Sequence, residues 1–212
     1  MTVSVVTVTY NAASTVEEAV QSVVEQVGDF ALDYHIVDGG STDQTLERIR
    51  PFEDRITQVT SGKDQGLYDA MNRGVARAKG DIIGILNADD RYADNQVIAD
   101  IAQTFEETGA DGVYADLDYV DEADGHTVTR QWQSGAPGNF RKGWMPPHPT
   151  LFVKRTLYEQ HGLFNLQLKS AADYELMLRF FHFRGAALAY LPRTTVKMRA
   201  GGQSNASLGN RI

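Results

Sequence analysis

GDIIGILNADD, residues 80–90, decides how this chain folds. Behind Asp81, residues Ile82, Ile83, Ile85 and Leu86 form an almost continuous apolar run, the pattern of a central parallel strand covered on both faces. The run breaks into Asn87-Ala88-Asp89-Asp90, a set of oxygen-bearing side chains at a strand's carboxyl end, where open α/β sheets bind ligands. Adjacent aspartates repel, so a cation or a donor-rich partner would stabilise them. One reading is a hard divalent metal held by an exposed carboxylate and shared with a substrate's phosphates. The other is a carboxylate capping the next helix. Taken alone the pair favours the cap, because Asp pairs at strand ends are common.

Upstream of this strand the chain alternates strand and helix. Residues 3–9 are β-branched apart from Ser4 and predict a buried strand. Ser14 to Glu17 has capping-box spacing and opens a helix with Val16, Ala19, Val20, Val23, Val24 and Val27 inward, ended by Gly28. Residues 34–37 predict a second strand that ends on Asp38. Gly39-Gly40 then turn the chain, and Ser41 with Gln44 offers a second capping box before a helix through Ile49. Residues 55–60 predict a third strand, followed by a polar loop over 61–66. Leu67, Ala70, Met71, Gly74, Val75 and Ala78 then follow a helical period up to Gly80. The order βαβαβαβ implies a doubly wound, mainly parallel sheet with helices on both faces.

Downstream the pattern changes. A helix is expected over about 94–107, and a hairpin of 112–120 with 126–132 around Glu122–Gly125. Residues 133–149 are rich in Gly and Pro and lack periodicity, so they predict a loop, and long loops of this kind are often lids. A short strand at 150–153, helices at 154–161 and 171–184, and strands at 186–190 and 195–199 complete a small C-terminal β/loop region.

Composition narrows the partners. A chain of 212 residues with 42% hydrophobic and 23% charged residues suits one soluble α/β domain. A net charge of −8 argues against a nucleic-acid partner, but leaves room for a small anion if a metal supplies positive charge. With no cysteine, disulfides and thiolate metal sites are excluded. The start lacks a signal peptide's basic head and no run is long enough to span a membrane, so a cytoplasmic location is expected, with peripheral contact at a membrane face left open.

Five polar clusters fall at strand ends or in the loops after them: Thr9-Tyr10-Asn11, Asp38–Ser41, Lys63-Asp64-Gln65, Asn87–Asp90 and Ala171–Glu175. The first four would share one sheet edge and can converge on one crevice. Each alone suits a turn or cap as well as a site; their joint occurrence does not.

With Tyr10-Asn11 after the first strand, Val37–Asp43, Asp64–Gly74, Leu86–Asp90, Gly162-Leu163-Phe164 and Ala172–Leu176 with Arg179, the chain resembles family-two glycosyltransferases with the GT-A fold, over roughly residues 3–205. The resemblance implies a single domain, with residues 1–110 binding a nucleotide-diphosphate sugar and 111–212 an acceptor that is a saccharide or lipid-linked. It implies that Tyr10 stacks on the donor's base and Asp38 hydrogen-bonds it, with Thr9, Asn11, Lys63 and Asp64 also in the donor site. Asp89 matches the carboxylate near the ribose, Asp90 the ligand of Mg²⁺ or Mn²⁺, and Asp173 the general base. Met71 stands where many members carry a basic residue, which leaves Lys63 as the candidate phosphate contact. Asn87 replaces the first acid of a common three-acid run. The stretch Arg199–Ser204 close to the end implies a short acceptor-binding tail. Trp144 reads either as a sugar platform or as cover for a gap, and His148 as a packed loop residue or an acceptor contact.

Two rival functions remain. A sugar-phosphate nucleotidyltransferase would usually carry a glycine- and basic-rich loop where Tyr10-Asn11-Ala12-Ala13 stands. A catalytically silent sugar- or nucleotide-binding domain would be expected to have lost Asp90 or Asp173.

Overall fold

The chain folds around one nine-stranded sheet. The computed structural model describes residues 1–200; Gly201–Ser204 of the expected tail lie outside the described residues. The elements run β1 (Thr2–Thr9), α1 (Val16–Val24), β2 (Ala31–Asp38), α2 (Thr45–Ile49), β3 (Gln58–Ser61), α3 (Leu67–Val75), β4 (Ile82–Asn87), β5 (Arg91–Tyr92) and α4 (Val97–Thr108). They continue β6 (Gly112–Val120), β7 (Val128–Trp132), β8 (Phe152–Lys154), α5 (Arg155–His161), α6 (Ala172–Met177) and β9 (Leu188–Arg199). Strand order is β3-β2-β1-β4-β8-β6-β9-β5, with β7 on β6. The first four strands are parallel, as is β6 with β9; β8, β5 and β7 join antiparallel.

Side chains alternate across this sheet and build two cores. Val3, Val5, Ile82 and Leu86 meet α1 and α4 on one face. Val6, Val8, Ile83 and Ile85 meet α3, α5 and α6 on the other. Both faces of β4 are therefore buried, which is why its sequence is apolar without alternation. Gly84 interrupts that run because a Cβ there would collide with the Phe152 ring of the antiparallel neighbour β8.

Several local expectations are corrected. Neither capping box forms: α1 has no side-chain cap, and the Ser41 hydroxyl binds Asp38 instead. Asp43 holds the turn before α2, accepting the Thr45 N–H at 3.0 Å. Helix α1 ends at Val24, before Gly28, so Val27 is 47% exposed. Residues 50–55 form a 3₁₀ segment, which moves the third strand to 58–61. Leu67 begins α3 but faces solvent. The helix after α6 continues as a π-helical segment, Leu178–Phe183. The two C-terminal strands are one, β9, whose register against β6 jumps from Ala115↔Leu191 to Asp116↔Thr194. Pro192, which has no N–H to donate, sits in that jump.

Candidate active site

Register alone brings four of the five polar clusters together. Thr9 pairs with Asp38, Asp38 with Ser61, and Val8 with Asn87, so the loops that follow all leave one edge of the sheet. At that edge the β1 and β2 loops are tied to each other. Asn11 takes a left-handed φ of 48°, which lets its side chain accept the Thr42 N–H at 2.9 Å while its own N–H reaches the Ser41 hydroxyl at 2.8 Å. Asp38 is 1% exposed, and its carboxylate takes the N–H groups of Gly40 and Ser41 and the hydroxyls of Ser41 and Ser61. Asp38 thus ties the β2 loop to the end of β3, and Ser41 carries that tie on to the β1 loop. The third loop approaches so closely that a Cβ on Gly39 would lie 2.7 Å from Asp64 Oδ2. Above this floor Tyr10 is 60% exposed, a free ring at the mouth of the crevice. Thr9 lies beneath it, with a buried hydroxyl that has no partner among the described residues. Lys63 is exposed on the neighbouring loop, where its carbonyl accepts from Arg73 at 3.1 Å. Met71 is 2% exposed in the core, so a cation at that position would be buried.

The acidic pair at the end of β4 differs from the exposed site the sequence suggests. Asp90 is 2% exposed and bonded by the Asn87 side-chain N–H at 3.1 Å, and the Asn87 side-chain oxygen, Oδ1, is buried without a partner among the described residues. Burial, followed by the charge of Asp89, pushes the Asp90 carboxyl well above the ordinary carboxylate value, opposed by Asn87 and Arg199. Burial also raises Asp89, against the pull of Arg199. The Arg199 charge offsets both aspartates, and Arg199 is itself held by Glu18 at 2.6 Å and by the Glu122 carbonyl at 3.1 Å. Neither aspartate caps a helix, since β5 follows directly.

The fifth cluster reaches the crevice through a residue the sequence reading left without a role. Tyr68, in the first turn of α3, donates to Asp173 Oδ1 at 3.2 Å. Burial, then the Asp173 charge, pushes the Tyr68 hydroxyl to about 12, so it stays a donor at neutral pH. The Tyr68 ring stacks on Phe164 at 5.7 Å, and His148 meets the same ring edge-on at 5.7 Å. Burial lowers the His148 pKa, partly offset by the Asp173 charge. Asn72 pins Phe164 with a reciprocal pair of bonds to its backbone, both 2.9 Å. Glu175 is occupied elsewhere, in a two-pronged pair with Arg179, which also gathers the carbonyls of His161, Gly162 and Leu163.

The 133–149 loop is fastened at several points. Trp144 lies edge-on to Phe140 and Tyr114, and Tyr114 donates to the Gly135 carbonyl at 2.6 Å. Tyr174, next to Asp173, donates to the Phe140 carbonyl at 2.9 Å.

Comparison with known proteins identifies the family and the fold. Residues 4–173 match the glycosyl transferase family 2 model. The chain is similar to the PGL/p-HBAD biosynthesis glycosyltransferase of Mycobacterium bovis (strain BCG / Pasteur 1173P2), with 31% identity over 84% of this chain and 69% of that protein. It is also similar to the succinoglycan biosynthesis protein ExoU of Rhizobium meliloti (strain 1021), with 26% identity over 80% of this chain and 54% of that protein. In fold it is similar to S. aureus TarS 1-349 in complex with UDP-GlcNAc, at a TM-score of 0.80 and 22% identity, covering 98% of this chain and 61% of that one. The mannosyltransferase PcManGT from Pyrobaculum calidifontis, in complex with GDP-Man and Mn²⁺, gives 0.70 and 19%, covering 96% and 58%. The chain thus spans about three-fifths of the length of these solved structures. Among the described residues, no helix is long and apolar enough to cross a membrane. The chain belongs to glycosyl transferase family 2: it is a glycosyltransferase with the GT-A fold.

Proposed function

We propose that this glycosyltransferase moves a sugar from a nucleotide-diphosphate sugar to a hydroxyl of a saccharide or lipid-linked acceptor, with inversion and with Asp173 as base. The observation that carries this reading is the Tyr68–Asp173 bond, which sets a carboxylate from the end of the chain against the crevice built by β1 to β4. In this reading Tyr10 stacks on the donor's base above the loop floor that Asp38 holds, and Thr9, Asn11, Lys63 and Asp64 belong to the same donor site. Asp89 faces the ribose side.

The residues present fit a hard divalent ion of the Mg²⁺ or Mn²⁺ kind. Asp90 and Asp89 repel each other in a desolvated corner, and Asn87 Oδ1, unpartnered among the described residues, adds a further oxygen beside them. Among the described residues no three acidic or histidine side chains converge, so such an ion would keep waters and take phosphate oxygens. When bound, it supplies the charge neutralisation that a diphosphate leaving group needs.

The chemistry assigned to the protein itself is proton transfer and orientation. Tyr68 occupies Asp173 Oδ1 and leaves the second oxygen to accept the proton of the acceptor hydroxyl. As that proton leaves, the acceptor oxygen bonds to the anomeric carbon, and the bond from that carbon to the diphosphate breaks with its electron pair. A single displacement of this kind inverts configuration. Donor hydrolysis and transfer assayed with and without EDTA test the reading. Full activity in EDTA would sink the metal assignment, and a protein that binds nucleotide diphosphates but never turns them over would be a silent binding domain.

A further inference from the structure

Charge is divided unevenly along this chain. Residues 1–124 hold 25 of its 28 acidic and 8 of its 20 basic side chains, whereas residues 125–212 hold 3 and 12. Part of that cationic excess is used inside the fold. Lys154, Arg193, Lys197 and Arg199 pair with carboxylates of the first stretch, and Arg155 and Arg179 with carboxylates of their own. Among those without a carboxylate partner in the described residues, three gather about one exposed ring. Phe183 is 71% exposed, more than any other large apolar side chain of the described residues. The buried residues of this stretch are Leu176, Met177, Phe180 and Phe181, and the core does not use the Phe183 ring. Arg184 follows it directly, and His182 lies against it with ring centroids 5.0 Å apart. Arg141 donates to His182 at 3.1 Å and brings the exposed Lys142 with it.

We propose that Phe183, ringed by Arg141, Lys142 and Arg184, docks this protein on an anionic lipid surface. Cations alone would serve any polyanion. A protruding ring adds nothing to holding a polyanion that presents only hydrated charged groups, but it seats in the boundary between headgroups and acyl chains. Because the whole chain carries −8, an anionic bilayer would repel most of its surface, so docking is confined to this patch and one orientation. The patch adjoins the proposed acceptor side: Asp173 is followed by Tyr174, whose hydroxyl binds the carbonyl of Phe140, the residue before Arg141. A lipid-carried acceptor would thus be presented beside the base. That consequence rests on the proposed transfer reaction; the docking itself does not.

The test is flotation of the whole chain with phosphatidylcholine vesicles, with and without phosphatidylglycerol, in about 0.1 M salt and without donor or metal, where charges act over about 10 Å. Binding to the anionic vesicles alone is expected, and it should fade at about 1 M salt. Each cation near the surface is worth about fivefold, so Lys142→Glu with Arg184→Glu should abolish flotation. Phe183→Ser should weaken it about tenfold. All three sites are exposed, so melting temperatures should match the parent's. No flotation, equal binding to neutral vesicles, or parent-like binding by the charge-reversed variant would overturn the proposal. So would a Phe183→Ser variant that binds like the parent while a soluble acidic polysaccharide strips the protein from vesicles, since the patch would then be a polyanion site. A protein that floats as expected but transfers no sugar would uphold docking and overturn the proposed reaction.

Discussion

The two halves of this molecule meet the same sheet by different routes. Up to residue 87 the chain lays down β3-β2-β1-β4 in parallel, successive strands joined through helices, so the loops that follow those strands leave the same edge. Beyond residue 111 it inserts β8 antiparallel between β4 and β6, then sends β9 back alongside β6 from more than seventy residues away. The first half gathers a site through register; the second reaches that site through a few long-range contacts. Under the proposed function this difference is also chemical. Changes in the first half should act on donor binding, and changes at Asp173 on turnover.

The largest effects test that division directly. Asp173→Asn keeps the shape and the Tyr68 contact but cannot accept a proton at neutral pH. Turnover should fall by about 10²–10⁴, with donor affinity and melting temperature nearly unchanged. Near-parent turnover would move the base elsewhere, and Glu175 is a poor substitute because Arg179 holds both of its oxygens. At the other carboxylate, Asp90→Asn should abolish metal-dependent transfer and yet raise the melting temperature of the metal-free protein. Its charge is disfavoured by burial and by Asp89, so removing it relieves both. A lower melting temperature would mean that Arg199 already compensates the pair.

Tyr10→Ala should raise the donor KM by roughly 5- to 150-fold while saturating turnover changes little, because stacking on a base is worth about 1–3 kcal/mol and acts alike on ground and transition states. With Tyr10 60% exposed, the melting temperature should stay at the parent's value. Loss of kcat with an unchanged KM would break the division between the halves.

How much of this was legible follows from the same contrast. The apolar run before Asp89 and Asp90 announced a central strand, and the βαβ alternation announced which loops share an edge, because both signals are local. Gly84 was not interpretable, since the ring that requires it belongs to Phe152. The second capping box fails because the Ser41 hydroxyl binds Asp38, a carboxylate that the pairing of β2 with β3 also brings against Ser61. One strand looked like two because Pro192 interrupts it, and β5, at two residues, is too short to leave a pattern. Asp173 was recognisable by its motif, whereas Tyr68, which positions it across 105 residues, sits outside the apolar stripe of α3 and carried no sequence signal of its own.

Tyr68→Phe therefore probes the seam between the halves. The ring should still stack on Phe164, and only the hydroxyl is lost. One hydrogen bond to a carboxylate is worth about 1–2 kcal/mol, so kcat should drop about 5- to 30-fold with donor KM unchanged. In an Asp173→Asn background the same change should add little, because both substitutions act on one group. A full additional loss in that background would give Tyr68 a role independent of the base.

The smallest expected effect is a pH dependence confined to the same seam. His148 faces Asp173 and the Phe164 ring, and burial holds its pKa below the ordinary value of 6.5. The sign follows from linkage: with the folded value depressed, the unfolded chain binds the proton more readily. The stability that neutral His148 contributes is full above about pH 6.5, is lost as pH falls through the folded value, and changes no further below it. The slope cannot exceed about 1.4 kcal/mol per pH unit for one proton. Asp33 also couples to pH, but in a separate window. Burial raises it, and hydrogen bonds from Lys79, Ser4 and His35, with the His35 charge, outweigh that, so its net shift is downward from 3.8. Melting curves of the parent and His148→Gln between about pH 7 and 5 isolate the histidine, since every other group is common to both. Their difference should shrink as the pH falls. A difference that stays constant would mean that His148 keeps its proton equilibrium unchanged on folding, and that its place beside Asp173 is packing alone.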